Sequence, residues 1–142
     1  ADMRRRPVSD YMAKFSVQFV VAACFVRGQF GFAELETDAL NDPEILALAQ
    51  RVSHEADPES QFPKYFSGGV VVTTKDGREL VHMEKINRGA GERALTGDEI
   101  AAKFMENAEL AVSRGRAERI RDAVLDMERL SARELGRLLA GQ

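Results

Sequence analysis

One long apolar segment constrains the fold of this chain more than any other feature. Almost every residue of Phe15–Val26 is apolar. A helix that is apolar on every side is a buried helix, and a run of roughly eighteen residues from a helix start at Ser9-Asp10 is long for a strand. The pattern therefore predicts a buried helix that ends at Arg27-Gly28, where a basic last turn is followed by glycine.

The same segment argues against a membrane partner. Its longest unbroken apolar run, Phe19–Val26, has eight residues, whereas a transmembrane helix needs roughly twenty. The arginine-rich start lacks the apolar stretch of a signal peptide. Because the chain begins at Ala1 rather than at methionine, we expect either a processed start or an internal fragment of a longer protein.

The amino-acid composition excludes several classes of protein. The 142 residues are 44% hydrophobic and 30% charged, with a formal net charge of −3, which is typical of a soluble globular domain and argues against a basic nucleic-acid-binding protein. Cys24 is the one cysteine, so an internal disulfide is excluded and a reducing, cytoplasmic environment is the simplest expectation. Two histidines and one cysteine do not supply the usual zinc ligand set, so no metal is expected.

Local signals predict the remaining elements. Asp42-Pro43-Glu44 is typical of a helix start. Two runs, Val70–Lys75 and Arg78–Ile86, flank Asp76-Gly77 and predict a β-hairpin. After the predicted hairpin, residues 87–93 are rich in glycine and arginine, which is typical of a linker.

The last third of the sequence is predicted to be helical. Thr96 with Glu99, and Ser131 with Glu134, have the spacing of helix-starting capping boxes. Between them, Arg114-Gly115-Arg116 is expected to break the helical pattern. The predicted fold class is therefore α+β. A region with a buried helix and a β-hairpin spans residues 1–93, and a C-terminal all-helical segment spans residues 94–142.

Motifs for nucleotide binding are absent from the sequence, because its glycine pairs lack the strand–loop–helix context that phosphate-binding loops require. Two histidines are candidate general bases. His54 lies beside Glu55 and Asp57, but we favour an exposed side chain that complements a helix C-terminus. For His82 we favour a half-exposed position in a strand. A hydrolase using His54 is the weakest of the functional hypotheses.

Three polar residues near the start of the apolar segment form the candidate binding site. Tyr11, Lys14 and Ser16 combine an ammonium group with two hydroxyls, and a helix N-terminus of this kind can bind a carboxylate. The alternative is structural. Lys14 would then extend its ammonium into solvent while Ser16 bonds back to the helix.

The order of these motifs resembles the C-terminal part of the MmgE/PrpD family, which includes 2-methylcitrate dehydratase, cis-aconitate decarboxylase and iminodisuccinate epimerase. The resemblance covers nearly the whole chain. It rests on the order of six features, which are Ala13-Lys14-Phe15-Ser16-Val17-Gln18-Phe19, the apolar helix ending at Arg27-Gly28, the Asp-Pro helix, the hairpin with Lys75-Asp76-Gly77, Leu95-Thr96 and Lys103-Phe104.

The resemblance implies an incomplete enzyme. Family members are roughly three times as long, with a large all-helical domain and a smaller, lid-like α+β domain, and their main catalytic residues lie upstream of this stretch. Residues 1–93 would then be part of the lid-like domain, and the helices of residues 94–142 would pack on the missing N-terminal helical domain. The expected function is therefore that of a C-terminal fragment of a cofactor-independent lyase or isomerase acting on small di- or tricarboxylates, inactive alone. Dehydration is the first choice of reaction, ahead of epimerisation and decarboxylation. The implied assembly is a homodimer without metal or organic cofactor.

The resemblance also places Lys14 and Ser16 in a Lys-Phe-Ser motif of the family. It implies that they orient the substrate or close the site, with Tyr11 nearby, and that the proton-transferring base lies elsewhere. A second hypothesis is a stand-alone interaction or oligomerisation module without catalysis, whose apolar helix and striped C-terminal helices would be covered by self-association.

Overall fold

Residues 4–140, which the computed structural model describes, contain seven α-helices and one antiparallel two-stranded sheet. This is the predicted α+β class with an all-helical C-terminal segment. Two compact units divide the chain after Pro58, and the division predicted near residue 93 stays a prediction about the whole protein. In chain order, the elements are α1 (Asp10–Lys14), α2 (Val17–Arg27), α3 (Thr37–Leu40), α4 (Pro43–Ala49), β1 (Gly68–Thr73), β2 (Glu79–Glu84), α5 (Gly97–Ala108), α6 (Arg114–Leu125) and α7 (Ala132–Ala140).

The single helix predicted from Ser9-Asp10 to Arg27 is divided into two helices. Helix α1 ends at Lys14, and Ser16 starts α2 as its N-cap, with the Ser16 hydroxyl accepting a hydrogen bond from the Phe19 amide at 3.0 Å. The apolar pattern runs through this break unchanged, which is why periodicity alone missed it. As predicted, α2 ends at Gly28, whose left-handed φ of 75° is accessible to glycine at little cost.

The core of the first unit lies between α2 and α4. One face of α2, with Phe19, Ala22 and Ala23, is fully buried, and Ile45 and Ala49 of α4 belong to the same cluster. The opposite face of α2 is not buried, which departs from the prediction of a helix enclosed on all sides. Apolar character around the whole helix therefore reflects two separate apolar faces, of which the first unit covers one.

The second unit begins with the predicted β-hairpin. Val70 lies opposite His82, and Val71 lies opposite Val81. The turn is closed by a hydrogen bond from the Thr74 amide to the Arg78 carbonyl at 2.9 Å, and Gly77 adopts a φ of 84°. The Asp-Gly signal thus located the turn correctly.

Both predicted capping boxes are present and start α5 and α7. The predicted break at Arg114-Gly115-Arg116 instead forms the first turn of α6. Among residues 59–140, the one fully buried hydrophobic residue is Ala117, and the large apolar side chains of the hairpin and these helices are half-buried or exposed. Within the described range, no helix combines the length and the apolar character that crossing a membrane requires.

Candidate functional site

Ser16 lies at the junction of α1 and α2 and is 2% exposed. Its hydroxyl accepts from the Phe19 amide and donates to the carbonyl of Arg4. A serine hydroxyl has a single proton to donate, and that proton is used here within the protein. Ser16 therefore fixes the start of α2 from below the surface.

Lys14 lies at the surface at the end of α1. Its Nζ is 3.1 Å from Oδ2 of Asp10, and the side chains of Lys14 and Asp10 are 43% and 60% exposed. The hydrogen bond from the Lys14 ammonium holds the pKa of the Asp10 carboxyl below its usual value. Because an exposed ion pair of this kind is weak, an incoming carboxylate can replace Asp10 as the partner of Lys14.

Tyr11 lies on the same surface and is 68% exposed. Its ring packs against Phe15, with ring centroids 5.0 Å apart. Phe15 and Lys14, together with Val17, Val20 and Val21, line an open depression of about 380 Å³. Lys14 and Tyr11 thus both lie at the surface, since Phe15 lines the depression together with Lys14 and packs against the Tyr11 ring, whereas Ser16 is buried.

This arrangement can bind an anion but is poorly suited to proton abstraction. The depression combines one ammonium group with apolar walls, a lining typical of small-molecule sites. Asp10, the carboxylate beside Lys14, has a lowered pKa, so it is a weak base for a weakly acidic carbon. A general base would have to come from other residues.

His54 contacts an amide that the sequence argument did not consider. Nδ1 of His54 lies 3.0 Å from Nε2 of Gln18, a residue of α2 that is only 4% exposed. When the Gln18 amide donates, Nδ1 must be the unprotonated nitrogen of the ring. The contact joins the loop after α4 to α2. The contact could not be predicted from the sequence, because Gln18 and His54 are far apart along the chain. A glutamine in an apolar helix nevertheless indicates that a polar partner exists.

His82 belongs to a second charged group, on the hairpin. Nε2 of His82 lies 3.0 Å from Oε1 of Glu84, and Oε2 of Glu84 lies 2.5 Å from Nη1 of Arg93. The same arginine nitrogen donates to the carbonyl of Ile86 at 2.7 Å. Since His82 and Glu84 are two residues apart on one strand, their shared face was predictable, whereas the contact with Arg93 depends on the chain reversal after the hairpin. The group joins β2 to the residues that follow it.

Metal binding has no support in the described part of the chain, where no three His, Cys, Asp or Glu side chains are grouped to hold an ion. The candidate site therefore consists of the Lys14 ammonium, the Tyr11 ring and the apolar depression, with Ser16 fixing the backbone beneath them.

Comparison with known proteins identifies related chains. The family model described as the MmgE/PrpD C-terminal domain matches residues 1–129. A cis-aconitate decarboxylase of Mus musculus is 26% identical over 139 residues, which are 95% of this chain and 28% of the relative. The human cis-aconitate decarboxylase is 25% identical over 126 residues, which are 87% of this chain and 26% of that protein.

A third relative is the cis-aconitate decarboxylase-like protein oryM of Aspergillus oryzae, which is 25% identical over 136 residues, covering 95% of this chain and 28% of that protein. The chain thus spans about a quarter of the length of the curated relatives that it matches.

Proposed function

Because this chain belongs to the MmgE/PrpD C-terminal domain family, we propose that it is the C-terminal part of a cofactor-independent lyase or isomerase acting on small di- or tricarboxylates. The observation that carries the proposal is the family match over residues 1–129. The names of the relatives make decarboxylation of a cis-aconitate-like acid a reaction to test beside dehydration of a 2-methylcitrate-like acid. We further propose that the enzyme works in the cytoplasm as a homodimer.

The second unit supports the view that these residues belong to a larger protein. Large apolar side chains such as Phe62, Phe66 and Leu125 are between 65% and 73% exposed. Soluble proteins seldom leave so much apolar surface uncovered. Further chain, corresponding to the part of the relatives that this chain does not match, would cover it.

In this proposal Lys14 orients a substrate carboxylate beside the apolar depression. Tyr11 borders the same surface, and Ser16 holds the start of α2 so that Lys14 keeps its place. The proton-transferring groups come from the rest of the enzyme, because Asp10 is a weak base. The 142-residue chain alone is then inactive.

The test compares this chain with the same chain joined to the coding sequence immediately upstream. Both are incubated in D₂O with small di- and tricarboxylates, including cis-aconitate and 2-methylcitrate, and NMR follows deuterium incorporation and product formation. We expect turnover only in the longer chain. Turnover by the 142 residues alone would contradict the proposal that the proton-transferring groups lie in the rest of the enzyme. No turnover in either folded chain would contradict the enzyme function.

The role of Lys14 is tested in the same assay. Lys14→Met in the longer chain is expected to lower kcat/KM about tenfold to a hundredfold, because a charge-assisted hydrogen bond contributes about 1.5–3 kcal/mol. Lys75→Met at the hairpin turn is the matched control and should leave kcat/KM unchanged. Equal effects of the two substitutions on kcat/KM would show that Lys14 does not bind the substrate.

A stand-alone interaction module remains the second candidate, and the uncovered apolar face of α2 favours it. This function predicts self-association without carboxylate binding or turnover in the longer chain.

A further inference from the structure

The depression beside Lys14 combines one charged group with apolar walls. Of the five residues that line it in the described part of the chain, Lys14 is the one with an ionised side chain, and the others are Phe15, Val17, Val20 and Val21. Phe15 and Val17 are 72% and 51% exposed. A ligand that binds here therefore meets one ammonium group and otherwise removes apolar surface from water.

The charges around Lys14 limit how many carboxylates a ligand can bring into the depression. The Lys14 ammonium lies 3.1 Å from the Asp10 carboxylate, and the lowered pKa of Asp10 keeps that carboxyl ionised at neutral pH. One ligand carboxylate can replace Asp10 on the ammonium. A second would lie against the valines without a cation or beside the Asp10 charge, and both positions are unfavourable. The depression thus favours a ligand with a single carboxylate.

The volume of the depression limits the size of the apolar part of the ligand. The depression measures about 380 Å³, which is near the lower end of the range for small-molecule sites. A cavity of about 150 Å³ is enough to bind a benzene ring, so an open depression of this volume has room for an unbranched chain of roughly six carbons.

We propose that the depression binds unbranched monocarboxylates of roughly five to eight carbons, with the carboxylate on Lys14 and the alkyl chain along α2. Val17, Val20 and Val21 have the i, i+3 and i+4 spacing that forms an apolar stripe on a helix. Lys14 precedes this stripe in the chain and lines the same depression. The ligand carboxylate therefore lies at one end of the stripe, and the alkyl chain extends along it.

This inference deepens the proposed function and rests on it in one respect, namely that Lys14 also receives a carboxylate of the substrate. A monocarboxylate on Lys14 then competes with the substrate for the ammonium and inhibits the enzyme. The other carboxylates of a di- or tricarboxylate substrate lie outside the depression, against the rest of the enzyme. Binding of the monocarboxylate is measured without turnover, so the two claims can fail separately.

The first test is an NMR titration of the 15N-labelled 142-residue chain with acetate, butanoate, hexanoate and octanoate. We expect the affinity to rise about twofold to fourfold for each added methylene group up to hexanoate, because full burial of one methylene is worth a factor of about four. The gain should level off by octanoate, and the largest shifts should be at the amides of Val17, Val20 and Val21.

Two further ligands test the charge of the site. Hexylammonium has an alkyl chain of the same length with the opposite charge and should not bind, because Lys14 repels it. Adipate carries a second carboxylate in place of the terminal methyl group of hexanoate. We expect adipate to bind at least about fourfold more weakly than hexanoate, since its last carbon is no longer buried.

Matched variants locate the two ends of the ligand. Lys14→Met should weaken hexanoate binding about tenfold or more, whereas Lys75→Met on the hairpin should not change it. Val17→Thr places a hydroxyl in the apolar wall and should weaken hexanoate binding about threefold or more without changing that of acetate. Val26→Thr is the control, since Val26 is a 37% exposed residue of α2 that does not line the depression. Threonine and valine have similar helix propensities, so both variants should fold, which their NMR spectra check.

Inhibition is tested in the longer chain. Hexanoate at a concentration equal to its dissociation constant is expected to raise KM for the acid that is turned over about twofold and to leave kcat unchanged. A lower kcat at unchanged KM would show that hexanoate does not compete for Lys14 and would overturn the inference. An affinity independent of chain length, adipate binding as tight as that of hexanoate, or equal effects of the substitutions at Val17 and Val26 would also overturn it. Absence of turnover in the longer chain would instead contradict the proposed function.

Discussion

The hydroxyl of Ser16 joins the segment that precedes α1 to the start of α2. It accepts from the Phe19 amide at the start of α2 and donates to the carbonyl of Arg4, twelve residues earlier. A buried hydroxyl with both roles filled stabilises the fold, because removal of one partner leaves the other without compensation. The neighbouring Lys14 is thereby held at a fixed point of the surface.

Ser16→Ala is therefore expected to lower the free energy of unfolding by about 1–3 kcal/mol, because it removes an N-cap worth about 1 kcal/mol together with the hydrogen bond to the Arg4 carbonyl, worth about 0.5–1.5 kcal/mol. Urea denaturation followed by circular dichroism measures the change. Ser53→Ala is the control, since Ser53 lies exposed in a loop of the same unit and its substitution should change stability by less than about 0.5 kcal/mol. Equal losses in the two variants would show that the Ser16 hydroxyl is not stabilising.

Single residues differ in how far their contacts could be predicted. The pairing of Lys14 with Asp10 follows from their i,i+4 spacing on a helix. The contact of His54 with Gln18 joins residues 36 positions apart and depends on how α4 packs against α2. The sequence identified Lys14, Tyr11 and Ser16 as a group, but the depth of Ser16 follows only from tertiary packing.

Helix starts were predictable because they are encoded locally. Asp42 accepts from the amides of Glu44 and Ile45, as its place before Pro43 predicted. The break between α1 and α2 was missed because apolar periodicity continues across it, and only the side chain of Ser16 marks the new start. The exposed apolar face of α2 departs from the predicted fully buried helix for a related reason, since an apolar pattern does not say which face of the helix the chain itself covers.

Acid weakens the start of α5 through Glu99. Hydrogen bonds from the Thr96 amide, Arg88 and the Thr96 hydroxyl lower the pKa of Glu99 from 4.5 to about 2. A carboxyl whose pKa is lower in the folded state stabilises the fold above its unfolded pKa, and this contribution is lost as the pH falls towards the folded pKa. The stabilisation is therefore present above about pH 4.5 and disappears between that value and about pH 2.

Glu99→Gln is expected to remove this contribution, so that the variant loses less stability than the unaltered chain between about pH 4.5 and pH 2. Urea denaturation at several pH values measures the difference. The control is Glu106→Gln on the same helix, outside the capping box, which should retain the acid-induced loss. An identical pH dependence of Glu99→Gln and the unaltered chain would contradict the role of the capping box.

For the whole molecule, the two units differ in how they are stabilised. Phe19 is fully buried in the first unit, whereas Phe62 of the second unit is 65% exposed. The class and order of elements followed from the sequence, since each has a local signal. The uneven distribution of the core did not, because burial depends on which elements meet in space.

Phe19→Ala is accordingly expected to lower the free energy of unfolding of the first unit by about 3–5 kcal/mol. Phe62→Ala, the matched control, should change stability by no more than about 0.5 kcal/mol. Thermal and urea unfolding of both variants test this difference. A loss at Phe62 equal to that at Phe19 would show that the second unit has a core of its own.

The core between α2 and α4 is made mostly of alanine, with Ala22, Ala23 and Ala49 beside Phe19 and Ile45. Side chains this small let two helix axes approach to the short end of the usual range of about 8–10 Å. An added methyl group at any one alanine would push the whole of α4 outward. The side-chain volumes at these positions of α2 and α4 are therefore coupled. A larger residue on one helix is tolerated only when a residue facing it on the other helix becomes smaller.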